Sequence, residues 1–194
     1  MAHDARSREL EKLIRPLKTA SYEVDTQLKH IKSQLESLGK DYGGLEMNPD
    51  FQRGYIWTEA QKTAFIENIL RGVIPSSAML VQFNCPNFSE NSCMGDLPRG
   101  FQCIDGLQRI TAVYDFLDGK VKPFGLSITD LDNTSFDMRR GVFRFRLAIH
   151  DFKFKADLLQ HYLDYNTGGT VHSADEIERV KKMRDAARKQ LAEK

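Results

Sequence analysis

Apolar residues recur along this chain with two periods, one near that of a helix and one of two, and the switches between them mark out the elements. Leu10, Ile14, Leu17, Val24, Leu28, Ile31, Leu35 and Leu38 follow one another at alternating three- and four-residue steps, interrupted only at Ser21. This heptad-like stripe predicts a helical N-terminal arm over residues 1–40. Pro16 divides it, so a first helix ends near that residue and a second runs from about Thr26 to Leu38, where Gly39 stops it. The stripe either packs on the domain's own core or meets a partner helix, which would make the protein a homo-oligomer through its N-terminal helices.

Further on, Gly43 and Gly44 mark a turn before a short strand, Leu45 to Met47. Thr58-Glu59-Ala60-Gln61 is a capping box that opens a helix with Phe65, Ile66, Ile69 and Leu70 inward and Gly72 at its end. Ala78 to Phe83 and Phe101 to Ile104 read as buried strands. The long segment between them, Asn84 to Gly100, is rich in Asn, Ser, Pro and Gly and reads as a loop. Leu107 to Leu117 has helical spacing through Ile110, Val113, Tyr114 and Leu117, with Gly119 closing it. Leu126 to Asn133 is irregular, and Val142 to Ile149 alternates, with Phe143, Phe145, Leu147 and Ile149 opposite Arg144 and Arg146. A helix around Leu158, Leu159, Tyr162 and Leu163 ends at Tyr165, and a charged helix runs from Asp175 to about Leu191.

With 194 residues the chain suffices for one well-packed domain with an attached arm. A formal net charge of +1 announces no polyanion or membrane partner, so any anion site must be local. The segment MAHDARSRELEK lacks the apolar core of a signal peptide and no long apolar run exists, so a soluble, cytoplasmic chain with no membrane partner is expected. Cys85, Cys93 and Cys103 form no CxxC pair and lack the histidines of a zinc site; Cys103 reads as a small buried hydrophobe.

The stretch Phe101 to Gly119 concentrates the chemistry. A strand that turns through Asp105-Gly106 into a helix leaves backbone N–H groups without intrahelical partners, and these, with the helix dipole, attract a phosphate. Arg109 adds a guanidinium fork in the first helical turn and Gln108 a neutral donor and acceptor. The other reading of the same residues is that Asp105 caps the helix and pairs with Arg109, with no ligand involved. In Asn48-Pro49-Asp50-Phe51-Gln52-Arg53-Gly54-Tyr55-Ile56-Trp57 a fixed charge, Arg53, sits among aromatic residues, either to hold a phosphate or base or to pair with an acid beside core anchors. Asn166-Thr167-Gly168-Gly169 supplies paired glycines able to approach a phosphate closely, and is as a bare pattern a flexible link; His172 adds no chemistry, and Ser173 to Glu176 is a second capping box. Arg144 and Arg146, with Arg139, Arg140, Lys153 and Lys155, make a basic cluster suited either to a nucleic-acid backbone or to a solvated face diluted by Asp137 and Asp151.

Asp105-Gly106-Leu107-Gln108-Arg109 resembles the DGQQR signature of the N-terminal domain of GmrSD-type restriction enzymes, with Leu107 in place of a glutamine. Phe51, Gln52, Arg53, Tyr55 and Trp57 are similar to the family's opening aromatic-Gln-Arg segment, and Asn166 to Ser173 to its Asn-x-Gly-Gly segment. Gly106, Arg109 and Ala112 also match the box of ParB-type nucleotide-binding proteins of the same superfamily. The resemblance implies an α+β fold of ParB/sulfiredoxin type, a small mixed sheet surrounded by helices, over residues 41–174, with the helical arm before it and a charged C-terminal helix, 175–194, after it. It implies binding of a nucleoside triphosphate with magnesium, and often its hydrolysis, in a restriction or phage-defence context inside a bacterial or phage-infected cell. By that resemblance Gln52, Arg53, Gly106, Gln108, Arg109, Asn166, Gly168 and Gly169 bind nucleotide, Asp105 and Arg109 are catalytic, Asp105 orients a metal or the attacking water, and DNA and a separate nuclease subunit are partners. Leu107 removes a polar side chain from the signature, which bears on hydrolysis more than on binding, and no histidine-asparagine-histidine nuclease arrangement follows. A ParB-like DNA-nicking nuclease and a non-catalytic DNA- or protein-binding adaptor are the alternative functions.

Overall fold

Three central strands carry the alternation that decides the layering. Val81 and Phe83 of β3 (Leu80–Asn84), Phe101 and Cys103 of β4 (Phe101–Asp105), and Phe145, Leu147 and Ile149 of β5 (Arg144–His150) join one buried cluster. Residues of opposite parity turn to the other face, where Ile104 enters a second cluster and Gln82, Asn84 and His150 are buried among it. The computed structural model describes residues 2–89, 94–167 and 174–193. Within these, β1 (Tyr22–Gln27) and β2 (Leu45–Glu46) complete a mixed sheet in the order β1-β5-β3-β4-β2. The β1–β5 and β3–β4 pairs are antiparallel, and β3–β5 and β2–β4 are parallel.

Helices cover both faces. The first cluster is filled by α2 (Ile31–Tyr42), α3 (Glu59–Leu70) and α4 (Leu107–Leu117), through Ile31, Leu35, Ile66, Ile110, Val113 and Phe116. The second is filled by α5 (Lys155–Thr167) and α6 (Ala174–Ala192), through Leu158, Leu159, Tyr162 and Val180, with Phe51 from the loop before α3. The fold is therefore α+β, a small mixed sheet flanked by helices. Several local signals work as expected: Thr58 Oγ1 accepts from the Gln61 amide at 3.3 Å while Gln61 Oε1 accepts from the Thr58 amide at 2.9 Å, closing the capping box of α3.

The N-terminal stretch is where pattern and structure part. Helix α1 (Ala2–Ile14) ends before Pro16, with Leu13 and Ile14 79% and 66% exposed, so residues 2–14 do form a helical arm. Residues 22–27, expected to lead into a second helix, instead form β1, in register with β5 from Tyr22 opposite Ile149 to Gln27 opposite Arg144. The second helix is displaced to Ile31–Tyr42 and runs through Gly39, ending at Gly43 in the left-handed conformation (φ 103°). The physical reason is that Leu28, Ile31 and Leu35 are consumed by the domain's own core, and Gly39 is there because a Cβ would lie 2.8 Å from Leu45 Cβ. Two smaller shifts follow: residues 76–79 make a 3-10 turn ahead of β3, and the irregular stretch holds two more, Pro123–Gly125 and Ile128–Leu131.

The described part of the loop after β3 is packed. Asn87 donates to Tyr42 O at 3.0 Å and accepts from the Gly100 amide at 3.1 Å, Phe88 stacks on Tyr42 with centroids 5.2 Å apart, and Cys85 is buried. Among the described residues no helix is long and apolar enough to cross a membrane.

Candidate anion site at the β4–α4 turn

Gly106 makes the turn in the left-handed region at φ 107°, and a Cβ there would stand 2.4 Å from Val81 Cγ1. Glycine is thus required both by backbone conformation and by the neighbouring strand. Leu107, where the signature has a polar residue, is buried in the first core, which accounts for its apolar character. Behind the turn the Cys103 thiol is wholly buried, and burial, seconded by the charge of Asp105, pushes its pKa far above the thiol range, so it is not a nucleophile.

Arg109 does not project an open fork. One guanidinium nitrogen donates to the carboxylate of Asp105, one turn earlier, and another donates to Ala78 O at 2.7 Å. The pairing of these two residues is the arrangement seen, but the cap expected with it is not: Gly106 occupies the N-cap of α4 and no side chain caps it, because Asp105 is turned to Arg109. Among the described residues no three of His, Cys, Asp and Glu stand together as metal ligands, and Asp105 is already bonded. The donors present therefore do not make a metal site held by the protein alone.

The loop before α3 is stitched onto this turn by two glutamines. Gln52 Nε2 donates to Ile104 O at 2.7 Å and Cys103 O at 3.1 Å, continuing the hydrogen bonding of β4 beyond the end of the two-residue β2. Gln108 works from the other side: its Oε1 accepts from the amides of Ile56 and Trp57, each at 3.1 Å, and its Nε2 donates to Gly54 O at 2.6 Å. Phe51 is buried edge-on against Tyr162, and Trp57 against Phe65, with centroids 5.3 Å apart in both pairs, whereas Tyr55 is exposed.

Helix α6 supplies Arg179, which the sequence does not single out, and Glu176, which it marks only as the end of a capping box. Arg179 donates to three successive carbonyls of the loop, Asp50 O at 2.6 Å, Phe51 O at 3.0 Å and Gln52 O at 3.2 Å. Glu176, one turn earlier, holds Oε1 3.6 Å from Arg53 Nε. The phenol of Tyr162 lies among these charges: burial first, then Glu176 and Asp105, raise its pKa to about 12 against the opposing pull of Arg53 and Arg179. Three guanidinium groups, from the loop, α4 and α6, thus collect around two carboxylates. For Arg179, on a charged surface helix, the cue in the sequence was its one-turn spacing from Glu176.

The remaining expected residues fall elsewhere or out of view. Asn166 is buried at the end of α5, donating to Tyr162 O at 2.8 Å, while Gly168, Gly169, His172 and Ser173 lie outside the described residues. Arg144 and Arg146 do face solvent on β5, but the register sets Asp25 of β1 against them, 2.8 Å from Arg144 Nε and 3.2 Å from Arg146 Nε, with Glu23 3.9 Å from Arg146. Their face is neutralised two against two. A cleft of about 860 Å³ lies beside them, and another of about 1120 Å³ opens between residues 14–18, the β5–α5 turn, α5 and α6. Neither is lined by Arg53, Asp105 or Arg109.

Comparison with curated proteins and with solved structures gives no match. The family model of the GmrSD restriction endonuclease N-terminal domain matches residues 29–193, which takes in both helical layers, the site and every strand of the sheet except β1. This chain belongs to the family of GmrSD restriction endonuclease N-terminal domains.

Proposed function

We propose that this domain binds a nucleoside triphosphate through its phosphates at the β4–α4 turn, as the nucleotide-responsive part of a DNA restriction system. Family membership gives the restriction context. The observation that carries the binding reading is that Arg53 and Arg179 lie with Glu176 and Asp105 around the Tyr162 phenol while Arg109 is bonded to Asp105, so that three guanidinium groups from three separate elements exceed two carboxylates by one positive charge. Guanidinium groups of this kind suit phosphate, and the first amides of α4 and the glycine turn point to the same side of the chemistry. Gln52 and Gln108 set the frame that holds Arg53 beside the turn. Magnesium is proposed to arrive on the triphosphate rather than to be held by the protein, and DNA cleavage is proposed to belong to a separate nuclease subunit.

Because Asp105 is engaged by Arg109, binding without rapid turnover is the expected behaviour. Thermal-shift titration with each nucleoside triphosphate and Mg²⁺ tests this. Ligand at about a hundred times its Kd stabilises by about 2.7 kcal/mol, a rise of several degrees for a domain of this size. Arg109→Ala is expected to abolish the rise and Arg53→Ala to reduce it to about half, and phosphate release is expected to stay slow. Absence of any shift with every nucleotide overturns the reading.

A further inference from the structure

We infer that Glu176 is a built-in counter-ion that holds the place of a phosphate on Arg53, so that a phosphate-bearing ligand enters by displacing this carboxylate and loosening the first turns of α6 from the loop. This deepens the binding reading above and rests on it.

The two carboxylates of the site are not equivalent. Asp105 is hydrogen-bonded to Arg109, which is anchored a second time on Ala78 O, so that pair is fixed from both ends. Glu176 meets Arg53 at 3.6 Å, beyond hydrogen-bond distance, so this contact is Coulombic, and among the described residues no carboxylate stands in bonding range of the Arg53 donors. A phosphate oxygen offering a charge-assisted bond at about 2.8 Å is the better partner for that guanidinium. Burial favours the exchange too: Glu176 is only 10% exposed while Arg53 is 31% exposed, so the incoming anion reaches the arginine from solvent and the displaced carboxylate gains hydration.

Arg179 meets only carbonyl oxygens and the Met183 sulfur, with no carboxylate within bonding distance among the described residues. Once Glu176 withdraws together with Arg179, which lies on the same turns of α6, Arg53 and Arg109 face Asp105 alone, and their balance with two carboxylates becomes an excess of one positive charge. In the resting arrangement the strap formed by α6 packs with Phe51 and Tyr162 in one buried cluster through Ile177, Val180 and Met183. Ligand occupancy is thereby coupled to the docking of α6.

The experiment uses the full chain and two probes, inorganic triphosphate and ATP, titrated by calorimetry against wild type, Glu176→Gln, Arg53→Ala and the double variant. Glutamine keeps the shape of the side chain and removes its charge. Glu176→Gln is expected to bind triphosphate about tenfold more tightly, Arg53→Ala about tenfold more weakly, and the double variant no more tightly than Arg53→Ala. Hydrogen exchange on wild type is expected to speed up over residues 174–180 when triphosphate binds. Unchanged affinity in Glu176→Gln, while Arg53→Ala still weakens binding, overturns the counter-ion and leaves the binding site standing. Tightening by Glu176→Gln that persists without Arg53 also overturns it, since the effect is then general charge. Binding of neither probe to any variant overturns the binding reading and the strap together, and unchanged melting temperatures exclude misfolding as the cause.

Discussion

His150 of β5 and His161 of α5 place their Nε2 atoms on the same acceptor, Oε1 of Gln82, each at 3.0 Å, with ring centroids 4.5 Å apart. One amide oxygen accepting from both rings requires both to carry their proton on Nε2, leaving Nδ1 of each a bare acceptor. Neither Nδ1 has a hydrogen-bond partner among the described residues, and both rings are nearly wholly buried. This arrangement ties the sheet to α5 while both imidazoles are neutral.

Burial first, then the neighbouring His161 and Lys18, lower the His150 pKa to about 4, and burial lowers that of His161 in the same direction. The unfolded chain, with histidine near 6.5, therefore binds more protons than the native one between those values, so stability is complete above about pH 6.5 and falls as pH drops through the window toward 4. A shift from 6.5 to about 4 corresponds to roughly 3 kcal/mol. Asp151, on the same side, acts lower still: the bonds from Lys18 and Ser21 overcome its burial and set its pKa at about 2, so its contribution is lost only below the ordinary carboxylate range. The urea midpoint is expected to fall between pH 7 and pH 4.5, and His150→Phe, able to stack beside Phe152, is expected to remove much of that slope. A midpoint flat over this range would mean that the pair does not titrate as a buried unit.

Gly106→Ala is expected to destabilise the fold by about 3 kcal/mol, summing the left-handed backbone and an overpacked contact. The methyl would meet Val81 at Cγ1, 2.4 Å away, and at Cβ, 2.8 Å away. Val81→Ala added to it relieves the Cγ1 contact alone, so the double variant should recover part of the loss in chemical denaturation, not all of it. A loss below about 1 kcal/mol in the single variant contradicts the packing described.

Such local requirements were the legible part of the chain. Gly106 between an apolar strand and a helical stripe, and Thr58 three residues ahead of Gln61, each state their conformation through neighbours close in sequence. Of the two readings of the stripe through Leu28, Ile31 and Leu35, packing on the domain's own core is the one found, a buried helix face having the same spacing as a coiled-coil seam, whereas β1 was missed because it is an edge strand whose exposed Tyr22, Glu23 and Asp25 give no alternation to read. At the site, the Asp105–Arg109 pair was visible as one of two readings because its members are one helical turn apart. Arg179 was not, since its three acceptors lie more than a hundred residues earlier and are backbone atoms, which carry no residue-type signal.

Lys62 of α3 and Lys120 converge on Asp115 of α4, at 2.7 and 3.1 Å, yet they are expected to matter unequally. Lys62 and Asp115 are 16% and 14% exposed, whereas Lys120 is 63% exposed. Lys62→Met is expected to cost about 1–2 kcal/mol by leaving a sheltered carboxylate with one partner fewer, and Lys120→Met to leave the melting temperature unchanged. Bonds from the two lysines outweigh burial and lower the Asp115 pKa, so the contribution is present above pH 4 and lost below it, outside the histidine window. Equal effects of the two lysines would contradict this ranking.

Trp57 reports on the last relationship, because it is the single tryptophan of the chain and sits on the loop that Gln108 holds. The Gln108 amide serves two backbone donors and one backbone acceptor of residues 54–57. Gln108→Met fills nearly the same volume without any of these bonds, so the freed amides turn to water and the loop loses its tie to α4, at a cost of about 1–2 kcal/mol. The indole, now packed on Phe65, is expected to become more exposed, with a red-shifted emission maximum in the native state and faster hydrogen exchange over residues 54–57. Gln108→Glu keeps the two acceptor functions and replaces the donor to Gly54 O by a second oxygen, so its emission should lie between the two. An unshifted spectrum in Gln108→Met would show that Trp57 is held by Phe65 alone, and that the loop's position owes nothing to the signature's glutamine.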